Sequence, residues 1–418
     1  MRILILTQWF NPEPFFKGIP FAKELIKLGH EVEVLTGFPN YPEGKIYDGY
    51  KIKPFKQDTI DGIRVLRVPL YPSHDNNAIK RIINYTSFAI SASLMGFWAV
   101  KRPDVIYVYH PPATIGLPSL FLHLLYSAPF VYDIQDLWPD TLAATGMVDN
   151  RAAIWLVGKW CSFIYSQAAK IVVLSPGFKE ILITRGVPEY KIEVIYNWCE
   201  DDKIQTMSRN QALAREFGML GRFNIIFAGT MGKAQALDAV LDAASLIDEN
   251  FPSIQFVFVG GGIEVNRLKH KSKELNLKNV LFLPKRPVSE IGDVLSLADV
   301  LLVHLKDDPL FRITIPGKTQ AYMAAGRPIL MGVKGDAARL VEKANAGLVC
   351  IPEDPISIAK TAKNFFSMER SELDKMGYNG KKFYNHELAL SIGVRRFEKL
   401  FTDVVDNDHK IPKIEAFE

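Results

Sequence analysis

Residues 312–330 read RITIPGKTQAYMAAGRPIL. Pro316 and Gly317 punctuate a loop. Lys318 to Ala325 is a run of good helix formers closed by Gly326, with Pro328 confirming the break. Ile329-Leu330-Met331 has strand character. A loop therefore feeds the N-terminus of a short helix. Its free N–H groups and partial positive charge, with Lys318 and Thr319 beside them, make a seat for a phosphate. The Gly-Lys-Thr triplet is not a P-loop, because that motif needs a glycine where Arg312 stands. The plain alternative is a surface lysine on an ordinary loop–helix junction, and only the rest of the chain decides.

Working upstream, Asn224 to Ala228 reads as a strand, followed by Gly229-Thr230-Met231-Gly232-Lys233-Ala234-Gln235 and a helix from Ala236 to Ile247. The strand Gln255 to Val259 runs into Gly260-Gly261-Gly262, and the strand Val280 to Leu283 into Pro284-Lys285-Arg286-Pro287. A helix from Val288 to Leu297 leads to the strand Val300 to His304 and back to the opening stretch. Four strand-to-loop junctions thus present glycine, lysine, arginine or threonine at one edge of one sheet. That set suggests a nucleotide-diphosphate pocket of backbone amides and a few cations.

The first half repeats the α/β pattern. Arg2 to Thr7 is a short apolar run of the buried parallel type, Phe21 to Leu28 a helix ending at Gly29, and His30 to Leu35 a second strand. Gly18 stands alone where a dinucleotide fingerprint needs three glycines, which argues against a Rossmann dehydrogenase. Residues 37–50, GFPNYPEGKIYDGY, cannot be regular, and a loop of that length after a strand points to function. Ile82 to Val100 carries no charge and is bracketed by Arg81 and Lys101. It reads as a buried helix, an interfacial helix or a membrane span. Ala113 to Phe130 and Ile154 to Ile164, the latter with Trp155, Lys159 and Trp160, add to a membrane-facing surface or to an ordinary core. The strand Phe130 to Ile134 runs into Asp133-Ile134-Gln135-Asp136-Leu137-Trp138-Pro139-Asp140, which places aspartates where α/β active sites lie, although capping and turn roles compete. Asn197 to Arg209 is polar and aperiodic, and the domain boundary falls there.

At 418 residues, with 48 % hydrophobic and 23 % charged side chains, the chain is globular and long enough for two or three domains. The formal charge of +4, with basic residues scattered, gives little support to nucleic-acid binding. Cys161, Cys199 and Cys350 form no CxxC pair and suit a reducing cytosol. Met1-Arg2 enters a strand directly, which reads against a signal peptide.

The two doubly wound halves, with Pro39-Asn40-Tyr41-Pro42-Glu43-Gly44, Asp136-Leu137-Trp138-Pro139, Asn197-Trp198, the Gly229–Gln235 loop and the Pro316–Pro328 stretch, resemble the family 4 retaining glycosyltransferases, and within them the WbuB-type branch of bacterial O-antigen and capsule-like glycan synthesis. The resemblance runs from Met1 to about residue 400. It implies a GT-B fold, α/β with two Rossmann-like domains facing a central cleft. Residues 1–200 would bind the acceptor, 201–382 the donor, a helix near 383–402 would pack back on the first domain, and 403–418 would form a tail. It implies transfer of an N-acetylated deoxy- or amino-sugar from a UDP-sugar to a polyprenyl-diphosphate-linked glycan by a cytoplasmic enzyme at the inner-leaflet membrane surface, with no metal and no cofactor. Asp406-Asn407-Asp408 spells a DxD triplet, but in a polar tail.

In residues, the resemblance implies that Asp136 contacts the reacting sugar or takes the acceptor proton. Retention in this family needs no protein nucleophile, the departing phosphate taking that proton. Lys318 with the helix N-terminus, and Lys233, would hold the diphosphate. Arg286 and Pro287 would border the base. Gly18 and Lys17, Asn197, Thr230, Gly232, Gln235, Gly260, Gly262, Arg312, Thr314, Gly317 and Thr319 complete the donor set. Asn40, Tyr41, His110 and Asp140 are expected at the acceptor. The family's two glutamates, eight positions apart, are here Ile313 and Ala321, a replacement the WbuB-type branch shares. Two other readings stand beside this one: a nucleotide-sugar epimerase of the same architecture, and a non-catalytic sugar-nucleotide-binding subunit.

Overall fold

The computed structural model describes residues 1–74, 78–144, 147–148, 150–199, 204 and 209–410. The chain forms two compact units. The first holds residues 1–174, 178–195 and 394 onward, the second 175–177 and 196–393.

In the first unit the order is β1 (Arg2–Leu6), α1 (Ile19–Lys27), β2 (Glu31–Gly37), β3 (Lys56–Ile60), β4 (Ile63–Val68), α2 (Ala78–Ala99), β5 (Val105–His110) and α3 (Gly116–Tyr126). Then come β6 (Phe130–Ile134), α4 (Asp140–Ala144), α5 (Arg151–Gln167), β7 (Lys170–Val173), α6 (Pro176–Thr184) and β8 (Ile192–Val194). The strands form one sheet in the order β3-β4-β2-β1-β5-β6-β7-β8, parallel except for the β3–β4 hairpin. That hairpin turns on Asp61-Gly62, both at positive φ, as a two-residue reverse turn requires. The interior strands are buried on both faces, which is why they read as unbroken apolar runs. The winding reverses between β1 and β5, so the crevice outside their C-terminal ends is where a doubly wound sheet accepts a ligand.

The second unit runs α7 (Gln211–Glu216), β9 (Phe223–Ala228), α8 (Asp238–Ser245), β10 (Ile254–Val259), α9 (Val265–Glu274), β11 (Val280–Leu283), α10 (Ile291–Ser296), β12 (Val300–His304) and α11 (Pro309–Arg312). It continues with α12 (Gly317–Ala325), β13 (Ile329–Gly332), α13 (Asp336–Lys343), β14 (Gly347–Val349), α14 (Pro355–Phe366) and α15 (Arg370–Phe383). Its sheet is wholly parallel, β11-β10-β9-β12-β13-β14, with one apolar cluster on each face.

A last helix, α16 (Leu390–Lys410), begins in the second unit and returns to the first from Val394. Phe397 lies 5.3 Å from Phe21 and 5.5 Å from Tyr107, ring centre to ring centre. The helix expected over 383–402 starts later, at Leu390. A π turn at Tyr384–Leu388 separates α15 from α16, and helix continues through the stretch expected as tail, as far as Lys410. The DxD triplet therefore falls on α16, with the side chain of Asp408 outside the described residues. Most of the stretch read as the boundary, 200–203 and 205–208, and the tail after 410 also lie outside them. No helix among the described residues is long and apolar enough to cross a membrane.

Candidate active site

The second unit gathers glycines at the C-terminal ends of β9 and β10. Gly229, Gly260 and Gly262 all have φ between +136° and +144°. A Cβ on Gly260 would stand 2.0 Å from the Gly229 carbonyl oxygen, and one on Gly262 2.2 Å from that of Met231. The two loops lie backbone on backbone because neither residue has a side chain. Gly229 N–H to Val259 O and Met231 N–H to Gly261 O, each 2.8 Å, carry the ladder past the strand ends. Gly229, Thr230, Gly260, Gly262, Lys285 and Arg286 line a pocket of about 410 Å³. Arg286 stacks on the Phe217 ring at 4.8 Å and pairs with Glu290 at 3.6 Å. Pro287 follows it, exposed.

Lys318 leans on this pocket's first loop. A Cβ on Gly229 would lie 2.6 Å from its Cε, and its Nζ stands 3.6 Å from the Phe227 ring centre. Among the described residues no carboxylate or hydrogen-bond acceptor meets that ammonium. Burial lowers its pKa to about 7. One helical turn on, Tyr322 fixes the geometry: its hydroxyl accepts from Ala228 N at 2.9 Å and donates to Ala228 O at 3.2 Å. Tyr322 lay inside the quoted stretch, yet only the fold shows that the i, i+4 pair faces the end of β9. Gly317 opens α12, and Thr319 is buried with no partner for its Oγ1 among the described residues.

Other donor candidates have different duties. Lys233 lines another cavity, among Asp238, Asp242, Glu264 and Arg267, and not the one at Gly229 and Gly260. Gln235 accepts the Gly232 N–H through Oε1 at 2.8 Å, and its carbonyl accepts from His304 Nδ1 at 2.7 Å, so the pair braces its own turn. Arg312 is paired with Asp307 at 2.8 Å, and Thr314 donates to Leu310 O at 2.7 Å. Asn197 falls just inside the start of the second unit. Ile313 packs where a Gly177 side chain would stand, and the Gly177 N–H donates to Asp336, an acid the sequence did not single out.

In the first unit Lys17 is a correction. Lys17 is fully buried, its Nζ 2.5 Å from Asp133 Oδ2, and the Tyr107 hydroxyl donates to the same oxygen at 2.5 Å. Burial lowers the Lys17 pKa while Asp133 opposes that shift, and nothing is left for a phosphate. Gly18 caps α1, buried, with the Asn11 amide oxygen 2.5 Å from where its Cβ would be. Asp133 lies inside β6, not in the loop after it.

Around the β1–β5 crevice the structure collects rings. Trp9 lies 5.1 Å from Tyr41 and 6.5 Å from Tyr85, Tyr85 lies 6.4 Å from Trp138, and Trp138 lies 5.4 Å from His110. Asp136 belongs to this basin. Among the described residues its carboxylate has no hydrogen-bond partner, and burial raises its pKa. Glu13, which the sequence reading passed over, sets the basin's wall. Its carboxylate accepts the N–H groups of Phe10 at 3.0 Å and of Asn40 and Tyr41 at 2.8 Å each. Burial outweighs those bonds and takes its pKa to about 7. Asn40 is buried and tied to Phe38 O and Asn84, so Tyr41, not Asn40, borders the open side. His110 is wholly buried, and burial lowers its pKa to about 3, so it stays neutral and carries no charge to an acceptor. Asp140 is held by Arg185, both oxygens at 2.6 Å.

The family of glycosyl transferase 4-like domains matches residues 20–198, and that of group 1 glycosyl transferases matches residues 214–383. WbjE of Pseudomonas aeruginosa, assigned as a glycosyltransferase, is 24 % identical over 69 % of this chain and 72 % of its own. WcaI of Escherichia coli, assigned to colanic acid biosynthesis as a glycosyl transferase, is 26 % identical over 78 % and 82 %. Among solved structures, Anabaena HepE in complex with UDP and glucose superposes with a TM-score of 0.65 at 15 % identity, covering 96 % of this chain and 99 % of that one. WaaG, a glycosyltransferase involved in lipopolysaccharide biosynthesis, gives 0.63 at 14 %, covering 96 % and 99 %. The structural likeness establishes the GT-B fold.

Proposed function

From a chain that belongs to the GT-B glycosyltransferases, a glycosyl transferase 4-like domain followed by a group 1 domain, we propose transfer of a sugar from a UDP-sugar to a polyprenyl-diphosphate-linked glycan in surface polysaccharide assembly, with the WbuB-type branch as its place in the family. The observation that carries the reading is Lys318. A half-buried ammonium without a counter-charge, set against a glycine-walled pocket and a helix N-terminus, is stabilised by a bound diphosphate and stabilises it in turn. As the anomeric C–O bond to phosphate breaks, negative charge grows on the diphosphate, and Lys318 with the backbone N–H of Thr230 and those that open α12 meets it. The acceptor oxygen bonds to the anomeric carbon, and its proton passes to the departing phosphate. Asp136 contacts the acceptor hydroxyl, and the rings of Trp9, Tyr41 and Tyr85 take the acceptor's apolar faces. The UDP bound by HepE, at 15 % identity, is consistent with the choice of nucleotide.

The acceptor's lipid suits the outer helices of the first unit. α2, α3 and α5 contain no Asp or Glu at all. Each buries one side, as with Phe88 and Ala92, Leu122, and Ile164, and exposes apolar residues on another. Trp98 is 80 % exposed, Leu124 76 % and Trp155 63 %. An apolar, acid-free face carrying Lys80, Arg81, Arg151 and Lys159 fits an anionic bilayer surface without spanning it.

The test is turnover with UDP-, GDP- and dTDP-sugars, with and without a polyprenyl-diphosphate sugar, in buffer and in EDTA. Transfer to lipid from a UDP-sugar, unchanged by EDTA and reduced about 100-fold or more in Lys318→Ala, is the expected result. Asp136→Asn should lose transfer while keeping nucleotide affinity. Nucleotide binding with no turnover on any acceptor would replace the enzyme by a non-catalytic binding subunit, the reading that Ile313 and Ala321 in place of glutamates favours.

A further inference from the structure

Trp138 belongs to two places. Its ring meets His110 and Tyr85 in the aromatic basin, and it also lines a second cavity, about 430 Å³, along one side of α5. Trp155, Gly158, Lys159, Tyr165 and Arg185 complete the cavity's working surface. Two of these are cations. Arg185 is oriented by its double contact with Asp140. Lys159 sits 5.7 Å over the Trp155 ring, and among the described residues no carboxylate pairs with it. The Tyr165 hydroxyl, in a side chain 3 % exposed, lies near the Cys161 thiol and has no hydrogen-bond partner among the described residues. Gly158 keeps the space open: a Cβ there would already touch Pro139 at 3.6 Å.

The surroundings say what kind of anion fits. At 3.6 residues per turn, Trp155 and Lys159 stand at the edge between this cavity and the exposed Leu156 and Phe163 of the same helix. The cavity therefore borders the acid-free apolar face. Its occupant needs a negative head and a long hydrocarbon tail. Two molecules share that chemistry, a phospholipid and an isoprenoid diphosphate. The loop decides between them: Trp138, part of the cavity wall, follows by two residues Asp136, whose carboxylate is assigned above to the acceptor hydroxyl. A diphosphate held here presents the sugar it carries along that wall, and a phospholipid has nothing to present. We propose that this cavity is the subsite for the diphosphate of the lipid-linked acceptor, with Lys159, Arg185 and Tyr165 as its donors and Trp155 against the first isoprene units. The assignment rests on the acceptor reading above, so its test is binding and not turnover.

Flotation of the full chain with phosphatidylcholine vesicles doped with undecaprenyl diphosphate, with phosphatidylglycerol at matched charge, or undoped, measures it directly. The expected result is a preference for the diphosphate of about tenfold over phosphatidylglycerol, roughly one good charge-assisted contact. That preference should disappear in Lys159→Gln, an exposed side chain whose change leaves the fold intact, and in Gly158→Leu, which fills the cavity without touching a charge. Equal binding to both anionic vesicles, or a preference that survives both substitutions, would overturn the proposal. A preference that holds in a protein that transfers nothing would retain the subsite and reject the transferase reading.

Discussion

At the scale of single residues, Lys318 links fold, pH and function. Its pKa of about 7 lies below the ordinary lysine value because burial disfavours the charged form. Between about pH 7 and the unfolded value near 10.5 the unfolded chain binds more protons than the folded one, so this residue makes stability rise with pH across that window. Lys318→Met should remove that slope and raise the melting temperature at neutral pH, as measured by calorimetry, while abolishing transfer. In the wild type a diphosphate needs the protonated amine, so kcat/KM should fall as pH climbs through about 7, and Lys318→Arg should move that limb upward. The acid limb belongs to Asp136, whose burial-raised pKa must be passed before its carboxylate ionises. Lys318 and the glycine loops were legible because glycine and lysine at strand ends advertise themselves. Glu13 and Asp336 were not, since a lone acid in a loop shows its partners only when the backbone N–H groups it binds are folded around it. Lys17 misled for the converse reason: a lysine in a glycine-containing loop looks solvated, and its partner Asp133 lies 116 positions away.

At the scale of elements, the parallel strands were readable because each is buried on both faces and so appears as an apolar run. β3 was missed: KQDTI is polar, as an edge strand is, and only the Asp61-Gly62 turn hinted at a hairpin. The uncharged stretch 82–100 left three readings open, because a helix that buries one flank in protein and offers the other to lipid has no single hydrophobic period. Its two sides are now distinct, with Phe88, Ala89 and Ala92 inward and Ile90, Leu94 and Trp98 outward. Trp98→Glu with Leu124→Glu should therefore change stability by no more than about 0.5 kcal/mol per site and still lower sedimentation with anionic vesicles severalfold. A large drop in melting temperature with unchanged vesicle binding would make the face a core or a protein interface.

At the scale of the whole molecule, the chain leaves the first unit at Ile195 and comes back at Val394. The returning helix sets Phe397 over Phe21, Tyr107 and the Lys17 ammonium, 4.6 Å from the last. Phe397→Ala should cost about 3–5 kcal/mol. The loss should fall on the first unit, which holds five of the six tryptophans, so melting followed by tryptophan emission should move ahead of melting followed by backbone circular dichroism. The same return path sets a clock during synthesis. All eight strands of the first unit have been made by residue 195, but the ring that closes over its buried ion pair is residue 397. Roughly 200 further residues, at about 5–20 per second, hold that core uncovered for roughly 10–40 s on the ribosome. A nascent chain stalled at the end of the second unit should therefore still be open at its beginning, and be the form a chaperone grips.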